Sequence, residues 1–599
     1  MNIDIDWENL NRPDLYDISL YEKIMNIADS FERSKYKDKL LETAGRYKIK
    51  TDIKENFNKF EKEYEENKQA GSIMNFGDKA PIKKMNAPGY YIDKLNHIRN
   101  FDKNVLVTAT ILQPVAILKN KETNEELVKC AFLRKNKWEY FIINKETILN
   151  NGKITKLANK GVDVTSSSSN LLVNYIRVLL NNNEIPEYTS TSKMGWHEND
   201  FLPYDKSIEF DGEESFKIPF ESLHTKGSFS KWLQQVSEDR IDNVPLKLVM
   251  ATSFASPLLH LLHKLPFVTL IWGKSGGGKT VAGKIAMSIW GNSDKGKLMF
   301  SMDSTKNFYY RTAEFFNNLP VFFDELQTYS GDINKLIMSL TEGVDRGKAN
   351  VDGGTQKPKS WNNCFIFTGE ESASDFNSGG GTLNRLIEVY VDKNVIGNGI
   401  KTCDVINENY GFAGKIFIDF VKEMGIENLK ALFQEKYNEL MSLDFTEEKQ
   451  AINMAMLLLA DDIACECIFK NEIPLKAKNV VKYMFSKKEI DNTQRAYETF
   501  LDQCEINYMK FTSFDNSGNI VRAASSNEYW GTSRKTEITI ISQKLREILK
   551  KNGFNYNKVI KDWAEKGYVE KNSSGKYSTC LSKDGIKANY VTVKVVKEE

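Results

Sequence analysis

The sequence predicts a multidomain α/β chain organised around one parallel-sheet core, and three observations predict it. The octet Gly273-Lys274-Ser275-Gly276-Gly277-Gly278-Lys279-Thr280 sits between a short β-branched run and a helical stripe. A second apolar run, Leu319 to Glu325, ends in the adjacent carboxylates Asp324 and Glu325. From Arg534 onward, 15 Lys and Arg stand against 8 Asp and Glu, an excess hidden by a whole-chain net charge of +1.

The octet fits G-x-x-x-x-G-K-[ST], the P-loop pattern. In such a loop, glycines let backbone N–H groups turn inward around a phosphate chain. The lysine reaches the terminal phosphates, and the hydroxyl serves Mg²⁺. The flanks fit as well. Phe267 to Trp272 (FVTLIW) suits a buried parallel strand. Lys279 to Trp290 carries apolar residues at 281, 282, 285, 286, 289 and 290, a helical stripe, with Gly291 expected as its C-terminal cap. The helix start would aim its positive end at the phosphates. ATP and Mg²⁺ are the expected cofactors, held by residues 273–280.

A nucleotide cradle needs an acidic element, and Asp324-Glu325 lies about 45 residues beyond Lys279. Asp324 is expected to join Thr280 around Mg²⁺, and Glu325 to polarise the attacking water. The next strand, Asn363 to Phe367, ends at Thr368, a candidate for sensing the γ-phosphate or positioning water; a simple strand cap is the bland alternative. Two arginines in turns, Arg385 and Arg346, are candidates for a finger that reaches a neighbouring subunit's site, Arg385 being preferred. For each, a surface ion pair is the alternative. Lys348 to Val351 and Thr355 to Trp361 flank the turn Asp352-Gly353-Gly354 and predict a hairpin. Its Lys348, Lys357 and Lys359 would grip a nucleic-acid backbone if the hairpin faced a ring channel; an ordinary solvated hairpin is the alternative.

The rest of the chain divides by texture. At 599 residues it should hold about three or four domains. Residues 1–85 read as a charged, solvated helical arm, or else a collar or docking module. Residues 86–225 read as an α+β domain, with strands at Val105 to Leu112, Lys129 to Leu133 and Trp138 to Ile143 and a helix at Leu171 to Leu180. His197, beside Trp196, is expected to be structural. Residues 226–395 form the P-loop core, and 396–530 a helical lid or linker. Residues 531–599 read as a winged helix: helices at Ile540 to Lys551 and Asn557 to Lys566, then strands. Asn557, Lys558 and Lys561 would enter a DNA groove, with Lys571 and Lys576 on the wing. Winged helices also mediate protein contacts.

Seven cysteines without regular spacing, including the Cys465/Cys467 pair, suit structural thiols in a reducing compartment. The five histidines show no metal spacing. The start, MNIDIDWENL, does not read as a signal peptide. Leu246 to Leu265 is interrupted by Lys247, Pro257, His260, His263 and Lys264, and reads as helices leading into the core rather than a membrane span. A cytoplasmic protein without a membrane partner is expected.

With these motifs in place, residues from about 88 to 440 resemble a phage and mobile-element ATPase family long catalogued as a domain of unknown function. The matching pieces are GWHENDFLP at 195–203, GKSGGGKT at 273–280, LPVFFDEL at 319–326, WNNCFIFTGE at 361–370 and YGFAGKIF at 410–417. The layout resembles the self-loading replication-initiator helicases of staphylococcal pathogenicity islands and cassette chromosomes, which are similar to AAA+ and archaeal minichromosome-maintenance motors. The resemblance implies an AAA+-like core, a homo-hexameric ring, ATP-driven translocation on single-stranded DNA, and origin duplex recognition by the C-terminal domain. An ATPase that remodels or packages nucleic acid without unwinding, and a DNA-binding regulator switched by ATP, are the competing expectations.

Overall fold

The computed structural model describes residues 5–27, 29–70, 73–101, 103, 105–204, 207–345, 358–374, 379–443, 446–525, 528–583 and 585–596. The chain divides into two units, Met1–Ser192 with Ser207–Asp211, and Lys193–Lys206 with Gly212–Glu599.

The first unit opens with helices Ile18–Met25, Ser30–Arg46 and Lys50–Ala70. These are not the solvated arm expected from their charge. Leu15, Tyr21, Ile24, Leu40, Ile53 and Phe57 form a core of their own. The charge hides sparse apolar stripes, which three helices pool into one small cluster. The same unit carries a five-stranded sheet in the order Glu209–Phe210, Glu187–Thr191, Leu112–Asn120, Glu126–Arg134, Lys137–Asn144. Helix Ser169–Asn181 closes its core through Leu172, Tyr175, Ile176 and Leu179.

The GWH stretch expected in that domain packs in the second unit instead. Gly195–His197 pairs antiparallel with Asp200–Leu202. Trp196 Nε1 donates to Pro257 O at 2.9 Å, and His197 Nε2 lies 3.1 Å from Lys193 O. The histidine is buried against backbone, a structural role.

The centre of the second unit is a five-stranded, all-parallel sheet. Its order is Met299–Ser301, Val321–Asp324, Cys364–Gly369, Phe267–Gly273, Leu386–Val391. Continuous Val, Ile and Phe runs permit burial on both faces, as parallel sheets require. Helix Val244–Leu261 is the one described helix long and apolar enough to cross a membrane, but 78% of it is buried inside the protein. Helix Lys279–Ser288 follows the glycine loop. It approaches the sheet closely at Gly283, where a Cβ would sit 2.3 Å from the Phe322 ring. Gly291 is not the C-terminal cap expected, because the helix ends at Ser288 and its cap position is Ile289. It is required by close approach, since a Cβ there would lie 2.1 Å from Ser222 O.

Helices Gly399–Glu408, Phe412–Met424, Ile426–Met441 and Glu448–Cys467 follow. The helical pattern expected through 530 is broken by strands Phe511–Phe514 and Ile520–Arg522. These belong to a six-stranded C-terminal sheet completed by Gly531–Ser533, Glu537–Ile541, Thr579–Lys583 and Ile586–Lys594. Its core takes Phe500 and Tyr497 from helix Asn492–Ile506, together with Leu545, Leu549, Ile560 and Trp563. The C-terminal structural unit therefore takes in residues well before 531.

Helix Glu448–Cys467 is bolted to the core by a buried charge cluster. Arg240, with no exposed surface, donates to Asp461 Oδ1 at 2.9 Å and Glu472 Oε2 at 2.9 Å, and its guanidinium lies over the Phe469 ring. Asp461→Ala would strand a buried guanidinium next to a single remaining carboxylate. It is expected to cost about 3–5 kcal/mol, read by denaturant unfolding. A loss below about 1 kcal/mol, the value of an exposed pair, would show the cluster to be solvated.

Candidate functional site

The glycine loop leaves the end of strand Phe267–Gly273 and enters helix Lys279–Ser288. Gly276 (φ 79°) and Gly278 (φ 77°) are left-handed, a conformation that residues with a Cβ resist. The loop frames a cleft of about 620 Å³, lined by Ser275 to Val281, Glu325, Gln327, Thr368, Gly369, Glu370 and a segment from Asn394 to Asp404. That volume lies within the range of small-molecule sites. Behind it lie Gly273, the last residue of the strand, and Lys274, and their carbonyls accept from Lys279 Nζ at 2.9 and 2.7 Å. Burial pushes the Lys279 ammonium below its ordinary range, opposed by the nearby Glu370 and Asp324. An ammonium held by neutral carbonyls in a partly desolvated place gains by exchange onto phosphate oxygens.

The acidic strand Val321–Asp324 lies one strand away from the loop strand, with Cys364–Gly369 between them. Three expected residues meet on one oxygen there. Asp324 Oδ1 accepts from Thr280 Oγ1 at 3.0 Å and from Thr368 Oγ1. Asp324 and Thr368 are 6% and 2% exposed, so these bonds are shielded. Thr368 Oγ1 also accepts from Glu325 N at 3.0 Å. Thr368 is therefore more than a strand cap, because it joins both members of the acidic pair. Glu325 itself has φ 68° and an exposed side chain lining the cleft. A non-glycine residue in that region costs of order 1–3 kcal/mol. The hydroxyl of Thr368 fixes the strained peptide, and the turn sends adjacent carboxylates to different places: Asp324 inward, Glu325 outward.

The remaining candidates fall elsewhere. Arg385 lies between helix Gly380–Leu383 and strand Leu386–Val391. Its Nη1 donates to Gly381 O at 2.8 Å and touches Met338 Sδ at 3.2 Å. Arg346, Lys348 and Lys357 lie outside the described residues. The base of the expected hairpin is described: Val344 bridges Ser360 antiparallel, and Asp345 N donates to Lys359 O at 2.8 Å. Lys359 does not stand free as a nucleic-acid contact. Its ammonium pairs with Glu314, because at the hairpin base it faces helix Lys306–Phe316.

At the C-terminus, helices Ser542–Lys551 and Tyr556–Glu565 are followed by the antiparallel hairpin Thr579–Lys583 and Ile586–Lys594. Between them, the stretch Tyr568 to Lys571 contributes the isolated bridge of Val569 to Val593. Asn555 caps the second helix through Lys558 N at 3.2 Å. Asn557, Lys558 and Lys561 project from its exposed face, and Lys571 and Lys576 are exposed in the following turn region. Lys561 approaches Glu565 at 3.9 Å, an exposed pair that competes little with a phosphate.

Sequence reasoning missed the far wall of the cleft. Val395 N donates to Gly277 O at 2.8 Å, and Asn243 Nδ2 holds Val395 O at 2.7 Å, laying Ile396, Ile400, Cys403 and Asp404 beside the loop. No local pattern marks this segment, whose position is set by tertiary bonds alone. Gln327 and Glu370 follow residues already singled out, and adjacency was the one available signal.

Residues 84–360 match a family described as a domain of unknown function (DUF927), and residues 491–598 match the Cch helix turn helix domain. No curated protein matches the chain. A solved structure titled "SCCmec type IV Cch - active helicase" superposes with a TM-score of 0.61 at 18% identity, covering 85% of this chain and 97% of that one. The apo A form of the NrS-1 C-terminal region aligns over 80% of this chain and 96% of its own at 13% identity, with a TM-score of 0.28 that carries no structural argument. The chain thus resembles the cassette-chromosome helicases, as a mixed α/β multidomain fold with a helix-turn-helix domain at its C-terminal end.

Thr368→Val would leave Glu325 N without its acceptor in a strained turn. It is expected to cost about 1–3 kcal/mol in thermal unfolding, with Thr368→Ser largely sparing it. Equal losses for the two variants would mean that the methyl group, not the hydroxyl, holds the turn.

Proposed function

We propose that this chain is an ATP-dependent DNA helicase and replication initiator of a phage or mobile element, translocating on single-stranded DNA as a homo-hexameric ring. One observation carries the reading. The hydroxyls of Thr280 and Thr368, which line a glycine-framed cleft together with Glu325, converge on the buried Asp324 behind it. Such a set suits triphosphate cleavage, and the same chain ends in a region matching a helix-turn-helix domain. The likeness to a structure titled an active helicase supports the direction of the proposal.

The P-loop core would span 226–395 as an AAA+-like unit, with a helical lid from 396 and the winged helix toward the C-terminus. Backbone N–H groups of Gly273 to Thr280 would cradle the phosphates, and Lys279 would leave its carbonyls for the terminal ones. Thr280 and Asp324, hard oxygen donors already 3.0 Å apart, fit Mg²⁺. The bound ion would neutralise charge on the phosphates. Glu325 would accept the proton of the attacking water, and Thr368 would hold that glutamate's peptide in place. Ile396 and Ile400 offer an apolar wall to the base. Arg385, or Arg346, would meet the transition-state charge in a neighbouring subunit's cleft. Asn557, Lys558, Lys561, Lys571 and Lys576 would contact the origin duplex, and Lys348 and Lys357 the single strand. Lys359 would stiffen the hairpin base.

The test is forked-DNA unwinding alongside ATP hydrolysis. Wild type is expected to do both, and Lys279→Ala neither. Glu325→Gln should retain ATP while losing about 10²-fold or more of turnover. Hydrolysis without strand separation by wild type would leave a remodelling or packaging motor. A wild type with no turnover to lose would leave an ATP-switched DNA-binding regulator.

A further inference from the structure

The described residues between strands Cys364–Gly369 and Leu386–Val391 include Arg385, and they are gripped from two directions. On the core side, the Glu388 carboxylate accepts from Ala373 N at 2.8 Å and Ser374 N at 2.9 Å. The buried Gln450 side chain donates to Leu383 O and, at 2.9 Å, to Leu386 O, while Asn453 donates to Asn384 O at 3.0 Å. The turn itself is closed by Asn384 N to Gly380 O at 3.0 Å and Arg385 N to Thr382 O at 2.9 Å. The guanidinium folds back on Gly381 O. Moving Gly380–Leu383 therefore moves Arg385.

The other grip comes from the C-terminal domain. Gly380 N donates to Asn492 Oδ1 at 3.1 Å. A Cβ on Gly380 would sit 2.5 Å from Ile490 O, so only glycine permits this seat. The residues beside Asn492 hold the helix that exposes Asn557, Lys558 and Lys561. Thr493 Oγ1 donates to Asp562 Oδ2 at 3.1 Å, and Trp563 Nε1 donates to Thr493 O at 3.0 Å. The Lys566 ammonium pairs with Asp491. A cavity of about 180 Å³ lies at this junction, lined in part by Gly379, Asn492, Asn555 and Lys558. The joint is bonded but not filled, which leaves the helix room to shift against Gly380.

We propose that Asn492 is a positioning residue for Arg385, and that its bond to Gly380 couples DNA held on helix Tyr556–Glu565 to ATP turnover. The inference rests on the reading of Arg385 as a trans-acting finger. A ligand that displaces the helix acts on residues 491–493, and Gly380 is the next bonded group. The coupling is reciprocal, since nucleotide-driven movement of the arginine turn must in turn alter duplex affinity.

The full chain is assayed for ATP turnover with and without mixed-sequence duplex DNA. Wild-type turnover is expected to change at least about twofold on adding duplex. Asn492→Ala should lower kcat about 3- to 10-fold, leave KM for ATP within about twofold, and abolish the response to duplex. Asn492→Asp retains the accepting oxygen and should behave as wild type. Gly380→Ala breaks the same seat from the core side and gives the same readout should Asn492→Ala fail to fold. A wild type indifferent to duplex, or an Asn492→Ala enzyme with wild-type kcat and response, overturns the coupling. Arg385→Ala separates the two ideas: normal turnover there sinks the finger reading, whereas an inactive Arg385→Ala beside a normal Asn492→Ala sinks the coupling alone.

Discussion

One carboxylate oxygen, Asp324 Oδ1, ties together the three central strands of the second unit. It receives the hydroxyl of Thr280 from the helix after the glycine loop and that of Thr368 from the intervening strand. Its burial gives these bonds more weight than surface contacts have, because water does not compete for the same oxygen. The order of the sheet makes the meeting possible. With Cys364–Gly369 placed between Phe267–Gly273 and Val321–Asp324, all three carboxyl ends open on the same edge. Open parallel sheets generate ligand crevices at that edge.

The acidic pair shows how one backbone torsion divides labour. In an undistorted strand, Asp324 and Glu325 would point to opposite faces and only one would reach the cleft. The left-handed turn at Glu325 ends the strand between them, leaving Asp324 buried under the hydroxyls of Thr280 and Thr368 and Glu325 exposed in the cleft. The strain is held locally by Thr368 Oγ1 on the Glu325 amide. Strain kept in place by a residue of the neighbouring strand is characteristic of functional turns.

The glycine octet, the acidic pair, Thr368 and their strands were legible because each depends on neighbours in sequence. A β-branched run, a glycine cluster and a helical stripe are local signals. What escaped was set at long range. The Asn394–Asp404 wall depends on Asn243 and Gly277, far away in the chain. The glycine at 291 reads as a helix stop, yet its reason is the Ser222 carbonyl against it. The three N-terminal helices look solvated one at a time, because no single stripe is wide enough to announce a core. The C-terminal unit reached back to Asn492 because Phe500 and Trp563 pack together across a gap that sequence spacing cannot foresee.

Two parts of the second unit, helix Glu448–Cys467 and the start of helix Asn492–Ile506, meet over a short stretch of backbone. Leu383, Asn384 and Leu386 give their carbonyls to Gln450 and Asn453, while Gly380 gives its N–H to Asn492. The first three bonds come from a helix that Arg240 anchors through Asp461, a buried pair costly to break. The last is a single neutral hydrogen bond beside a cavity, worth about 1 kcal/mol. Of the two grips, only the weaker can be made and released by a ligand of ordinary affinity. In the proposed motor, motion at Arg385 would therefore be cheaper from the C-terminal side than from helix Glu448–Cys467, and coupling between the glycine-framed cleft and the basic helix would have its least-resistance route through Gly380.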